Sequence, residues 1–437
     1  MTQAEEGLIA AFVHDSREAR WLADLRGGAL ARFAALRLPT ARHEDWRFTS
    51  LAGLAPLPLA RAPEGDLARA RALLARGPAA EDGARLVFVN GRFCAELSAG
   101  GSLPQGIVLS SLAEALRRWP DEVRPHLGRL ARPDALAFVA ANAALFEDGA
   151  FLKLPAGAAL DAPIALVFLS DGPAAAAAHP RTLLVAGEGA RATVQEWFLG
   201  PEGAAYLTNA VTELVLADGA EVEHVRLQVE GDAAFHVSSV HAEQGAGSRL
   251  VAHAFTLGAR LSRAETYARL GGEGARVAAN GLYMADGQRL VDNFSWIEHA
   301  VPRCTTEETY KGILDGKSRG VFSGRIRVMP GAQKTVARQM NSNLLLSDDA
   351  IVDTKPQLEI FADDVKCGHG GTVGQLDETA LFYLRSRGVP EADAKSLLVW
   401  AFASEMVGLV GPPSVRARAK NLVAARLPAG ARLLEAA

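Results

Sequence analysis

Gly187-Glu188-Gly189-Ala190-Arg191-Ala192-Thr193-Val194 is the stretch on which the fold turns. It returns, loosened, as Asp218-Gly219-Ala220-Glu221-Val222, as Gly245-Ala246-Gly247-Ser248-Arg249-Leu250-Val251 and as Gly272-Glu273-Gly274-Ala275-Arg276-Val277. The second glycines fall at 189, 219, 247 and 274, at steps of 30, 28 and 27 residues. A turn signal and a strand in each unit, at a near-constant period of this size, mark a β-solenoid, in which stacked coils share the core that no single coil can bury. Glycine supplies the positive φ that such corners require. Shorter turns follow at Pro330-Gly331-Ala332, Asp348-Asp349-Ala350 and Asp363-Asp364-Val365. A β-sandwich with glycine turns is the competing reading, and the regular spacing decides against it.

Outward from the repeat, the pattern changes on both sides. From about Phe151, apolar and polar residues alternate in short runs, as in Ala220-Glu221-Val222-Glu223-His224-Val225-Arg226-Leu227. Residues 1–150 read as mainly helical, with Leu8, Ile9, Phe12 and Val13 at helical spacing. One strand is expected there, Arg85-Leu86-Val87-Phe88-Val89, closed by an Asn90-Gly91 turn. After Gln375 the helical period returns. Asp377 caps a helix from Glu378 to Arg387 that Gly388 ends, Val389-Pro390-Glu391 starts a second, and Pro413 to Leu427 forms a third. The division is therefore a helical region over 1–150, a coil core over 151–372 and a helical tail over 373–437.

The chain has 437 residues and a formal net charge of −4. That balance argues against nucleic acid, which needs a basic surface. No stretch is long and apolar enough to span a bilayer, and the acidic, mixed N-terminus is unlike a signal peptide. Three cysteines, Cys94, Cys304 and Cys367, are too few and too odd for a disulfide scaffold, and they fit a reducing, cytoplasmic setting.

Several motifs imitate known sites. Thr182-Leu183-Leu184-Val185 before Gly187-Glu188-Gly189 resembles a dinucleotide fingerprint, but that fingerprint needs a helix next, and Thr193 to Phe198 alternates like a strand. Gly312-Ile313-Leu314-Asp315-Gly316-Lys317-Ser318 imitates a phosphate loop with one residue too few and a strand-like continuation. Histidines 224, 236, 241 and 253 could form a metal column or a hydrogen-bonded ladder. Cys94 and Cys304 read as structural.

Cys367-Gly368-His369-Gly370-Gly371 differs from these. In an extended chain residues i and i+2 share a face, so a thiol and an imidazole stand together among glycines. They could bind a soft-to-borderline metal, act as a nucleophile with its base, or merely end the last coil. Two ligands are too few for a closed iron–sulfur site.

Read together, the C-terminal motifs resemble one family. They are Tyr310-Lys311-Gly312-Ile313-Leu314, Ala332-Gln333-Lys334-Thr335, Asn343-Leu344-Leu345-Leu346-Ser347, Pro356-Gln357-Leu358-Glu359-Ile360, Asp363 to Gly370, Thr372 to Asp377, and Leu381-Phe382-Tyr383-Leu384-Arg385-Ser386-Arg387-Gly388. In this order they resemble the SufB/SufD family of iron–sulfur cluster assembly proteins. Arg42-His43-Glu44-Asp45-Trp46-Arg47-Phe48-Thr49-Ser50-Leu51 resembles an N-terminal motif of its SufD branch.

The resemblance implies a right-handed parallel β-helix flanked by helices, paired as a heterodimer with SufB, with a SufC ATPase docked on the C-terminal helices. It implies a non-catalytic scaffold that takes ATP hydrolysis from SufC, and a homodimer when the chain is isolated. It makes His369 the cluster-building histidine, with Cys367 beside it, and a transient iron–sulfur cluster shared with SufB. Glu378, Leu381, Phe382, Leu384, Arg385 and Arg387 fall in the SufC-docking region. Reduced flavin accompanies some members of the system, though no flavin motif stands in this sequence. Two other readings remain: a β-helix enzyme acting on polysaccharide, whose carboxylates would line a strand face, and a metal-free adaptor in the same assembly.

Overall fold

In a computed structural model, which describes residues 1–13, 18–79, 83–172 and 174–430, the repeated glycines are corners. Gly189, Gly219, Gly247 and Gly274 have φ of 64, 66, 63 and 74°, the left-handed region that costs a side-chain-bearing residue about 1–2 kcal/mol. Each corner N–H donates to a carbonyl of the next coil: Gly189 to Asp218 at 2.9 Å, Gly219 to Ala246 at 2.8 Å and Gly247 to Glu273 at 2.9 Å. The ladder then continues through Arg303 and Lys334, with φ of 60 and 62°, and Lys334 donates to Asp364 O at 2.6 Å. The left-handed residue of that late corner is therefore Lys334, three positions after Gly331. The hydrogen bond and the Lys334–Asp364 ion pair hold a conformation that glycine would adopt unaided.

Between the corners run two parallel sheets, so the chain is a parallel β-solenoid of about eight turns and not a sandwich. Strands such as Leu261–Leu270, Leu290–His299, Arg319–Val328 and Ile351–Ile360 stack in the first sheet. Arg276–Ala285, Thr305–Leu314, Val336–Leu345 and Lys366–Gly374 stack in the second. Both imitations of nucleotide loops are corners that lead into strands. Gly189 precedes Arg191–Leu199, and Gly316, with φ of 63°, precedes Arg319–Val328.

The lumen accommodates two tyrosines because glycines face them. A Cβ on Gly281 would lie 2.1 Å from the Tyr310 ring, and one on Gly312 would lie 2.3 Å from the Tyr283 ring. Both tyrosines are buried within the lumen core.

The N-terminal part joins the rod. Arg85–Val89 is a strand, turned by Asn90 and Gly91 at φ of 52 and 82°, and it pairs parallel with Ile164–Leu169. Helices Gln3–Ala10, Arg20–Leu36 and Ala137–Leu145 belong to this region. The motif around Trp46 forms a strap on the first sheet. Trp46 stacks on Phe138 at 5.5 Å, and the Arg263 guanidinium lies 4.1 Å from its ring. Further along the strap, Glu44 reaches Lys355 at 2.6 Å and Asp45 reaches Arg325 at 3.5 Å.

The tail covers the outer face of the second sheet. Asp377 accepts hydrogen bonds from Thr379 and Ala380 and caps the helix Glu378–Ser386; Gly388, at φ of 87°, follows it. The helix Glu391–Gly408 then packs Val399, Ala403 and Met406 against Leu227, Phe255, Leu282 and Ile313. Lys311 pins this helix, with Nζ 3.3 Å from Phe402 O and 4.4 Å from the Phe402 ring. The third helix runs Pro413–Ala424. The last seven residues of the sequence, which the tail reading included, lie outside the described residues.

Candidate functional site at the open end of the rod

One end of the solenoid is covered by the N-terminal strands; the other is not. Among the described residues, Ile351–Ile360 and Lys366–Gly374 each pair on one side only. Which backbone groups are free follows from strand alternation. The Lys366 N–H donates down to Thr335 O at 2.9 Å, so the N–H groups of Cys367, His369, Gly371 and Val373 face the free edge. On the other sheet, Ile351 and Phe361 donate down to Ser318 and Val328 at 3.0 and 2.9 Å. Position 356 therefore faces the free edge, and it is a proline, which has no N–H to offer. The two edges are not equivalent: Pro356 blunts one, and the glycine-rich strand leaves the other open.

Cys367 and His369 both face the lumen side of that open strand. In register Cys367 lies above Ala337 and His369 above Gln339. Cys367 is half-buried against the lumen core, and burial pushes its thiol above the usual range, only partly offset by an Ala337 backbone hydrogen bond. His369 is exposed. A thiol raised by burial does not fit an activated nucleophile, which needs a lowered thiol pKa or a hydrogen bond to its base. Gly368 has open space where a side chain would stand, so local packing does not require its glycine. Around the end lie exposed apolar groups: Ile351, Ile360, Phe361 and Val373.

The other histidines do not converge. His224 and His236 sit in the lumen, 2.9 Å from Glu196 and 2.6 Å from Glu230. His241 stacks on Tyr267 on one outer face, and His253 lies 3.2 Å from Glu223 on the other. They form no metal column: among the described residues no group of three or more His, Cys, Asp or Glu side chains could hold a metal ion. Cys94 and Cys304 are buried, and burial raises both thiols.

In the tail, the six docking candidates separate by exposure. Phe382 is 72% exposed and Leu381 only 5%. Leu384 is intermediate, and Glu378, Arg385 and Arg387 are exposed. Arg387 lies 5.2 Å from the Tyr383 ring, and Arg385 lies 3.5 Å from Glu391. Tyr383, which is not among those six, is exposed beside Phe382. Unread in the sequence was Glu308, whose carboxylate accepts from Gln339 Nε2 at 2.6 Å directly beneath His369 in the register column. Its one sequence signal was a charge at an inward position of the strand. No helix among the described residues is long and apolar enough to cross a membrane.

Comparison with known proteins accords with this architecture. The SufBD core domain of the SUF system for FeS cluster assembly matches residues 168–402, more than half of the chain, and the SufBD protein N-terminal region matches residues 82–166. A SufBD-family iron–sulfur cluster assembly protein of Synechocystis is 34% identical over 93% of this chain and 91% of its own length. The iron–sulfur cluster assembly protein SufD of Escherichia coli is 33% identical over 90% of both chains. The chloroplastic protein ABCI7 of Arabidopsis thaliana is 29% identical over 77% of this chain and 72% of its own. This chain belongs to the SufB/SufD family of iron–sulfur cluster assembly proteins and, within it, is most like SufD.

Proposed function

We propose that this chain is a SufD-like scaffold subunit of a cytoplasmic cluster-assembly complex, pairing with SufB at its open end and docking the SufC ATPase on its C-terminal helices. The observation that carries this reading is the strand Lys366–Gly374: one ladder satisfied, one free, and His369 exposed on it. A free edge with several unpaired N–H groups is a template for another strand. Closing it against a homologous rod would bring a second set of ligands to His369 and Cys367. The pair alone cannot close a cluster, which usually takes four ligands, so the nascent cluster is shared cargo. His369 suits the role because a neutral imidazole is a common metal ligand.

ATP hydrolysis belongs to the partner in this reading, since the phosphate-loop imitation at 312–318 is a strand end and a coil corner. The same geometry does not fit a dinucleotide cradle, and no step is assigned to a flavin. The polysaccharide reading loses its support, because Asp348, Asp349, Asp363 and Asp364 lie at corners and not along a strand face.

Co-expression with the two partner chains tests the proposal. His369→Ala should lower iron and sulfide content while all subunits still co-purify; full cluster yield would remove His369 from the mechanism. The metal-free adaptor differs only here. It predicts identical iron content and visible absorption for the anaerobic wild-type complex and the Cys367→Ser/His369→Ala variant.

A further inference from the structure

The interior of the rod is unusually polar, and several of its polar atoms have no partner. Both amide atoms of Asn293, Ser262 Oγ, Glu308 Oε1, Gln339 Oε1 and Arg226 Nε are buried without a hydrogen bond. Each of these residues is at most 3% exposed. A dry, unsatisfied group of this kind costs about 1–3 kcal/mol, and six of them together rival the whole net stability of a domain, about 5–15 kcal/mol. Buried water resolves such a set wherever it finds two to four polar partners and room. The register neighbours Ala264 of Asn293 and Ala279 of Glu308, on the side away from the open end, are small, while Phe322 and Gln339 stand above them toward it.

These groups lead to the open end. Glu308, Gln339 and His369 occupy one register column, with about 4.8 Å between strands. Gln339 Nε2 is engaged by Glu308 Oε2, which leaves Gln339 Oε1 as the last buried acceptor below the exposed imidazole.

We propose that the lumen between Asn293 and the open end binds a file of water molecules, and that this file passes protons between Glu308 and solvent beside His369. Only the use of the route rests on the assembly role given to His369. A thiol or sulfide that binds iron releases its proton; that proton moves through water to the Glu308 carboxylate, forming the acid, and leaves by the same path. Burial pushes the Glu308 carboxyl up to about 7, and the hydrogen bond from Gln339 lowers it only in part. Gln339 above it, Ala279 below, Ser295 across the lumen, and Thr306 and Tyr310 along its own strand carry no formal charge near neutrality.

Infrared spectroscopy of the full chain in mildly acidic buffer tests this. The carbonyl band of protonated Glu308 is identified by its loss in Glu308→Gln. On mixing into D2O, the band should shift long before the core amides exchange. Gln339→Leu, which plugs the mouth with an apolar side chain, should abolish that fast phase. A wild-type shift that keeps pace with the core amides would overturn the proposal, and so would a fast phase that survives in a folded Gln339→Leu protein. Should that variant not fold, the wild-type rate alone decides. No cluster enters either readout, so failure here leaves the assembly role of His369 standing, and failure of His369→Ala to lower cluster yield leaves the water file standing.

Discussion

Replacing Phe382 with alanine separates docking from folding, because the helix Glu378–Ser386 holds two adjacent apolar residues in opposite situations. Phe382 is 72% exposed and Leu381 is 5% exposed. A phenylalanine offers about 150–250 Å2 of surface, so about 110–180 Å2 of Phe382 is free to be covered. At about 25 cal/mol per Å2, covering it contributes up to about 3–4.5 kcal/mol, and truncation at a binding hot spot costs about 2–4 kcal/mol. Phe382→Ala should therefore weaken SufC binding about 30- to 1,000-fold, with folding stability unchanged to within about 0.5 kcal/mol. Leu381→Ala should instead cost about 2–5 kcal/mol of folding stability. The neighbouring charges contribute less, since exposed pairs such as Arg385–Glu391 are worth about 0–1 kcal/mol. Titration calorimetry with the ATPase, run beside thermal melts of both variants, reads the two effects apart. Wild-type affinity in a folded Phe382→Ala protein would refute the placement of the docking surface on this helix.

Gly371→Pro removes one free-edge N–H and no bond of the ladder below, so the chain should melt as before while co-purification of the sister solenoid chain is lost; an intact complex would exclude this edge from the seam. Glu308→Gln should flatten a pH dependence of stability. A carboxyl raised from 4.5 to about 7 binds more protons folded than unfolded, so wild-type stability should fall by roughly 3 kcal/mol as pH rises across that window and level off above it, and equal slopes in urea titrations of the two proteins would contradict the burial argument. Alkylation of Cys367 in the isolated chain should lag a free thiol at neutral pH and catch up in alkali; a faster rate would mark an activated nucleophile and restore that reading.

The coils were legible where the backbone demanded a particular residue. Gly189, Gly219, Gly247 and Gly274 announce corners because few other residues adopt φ near 65° cheaply. Arg303 and Lys334 occupy the same conformation silently, since hydrogen bonds across coils substitute for glycine there, and the period seemed to dissolve beyond 274. Face was also legible: alternation put Cys367 and His369 together on one side. Depth was not. Nothing local separates Leu381, turned inward, from Phe382, turned out, because the difference depends on how the tail packs against the rest of the chain. Nor does sequence spacing show that Lys311 pins Phe402 or that Glu44 reaches Lys355, contacts made across 91 and 311 positions. The lumen polarity was hidden for the same reason: an inward Glu308 is recognisable only once the register with Gln339 is known.

The two ends of the rod and its two edges together account for the arrangement of the candidate site. A solenoid must end somewhere, and an uncovered terminal coil invites indiscriminate pairing. The N-terminal end is covered by this chain's own strands. At the other end, Pro356 withholds the N–H that would face outward, and Asp353, Lys355 and Glu359 charge the outer side of that strand. The neighbouring strand carries the opposite features: its free-edge N–H groups are intact, Gly368, Gly370 and Gly371 surround the histidine, and Lys366 is its single charged residue. Selection for solubility alone would have blunted both edges. In the proposed assembly, keeping one blunt and one bare directs a partner to the strand that carries His369.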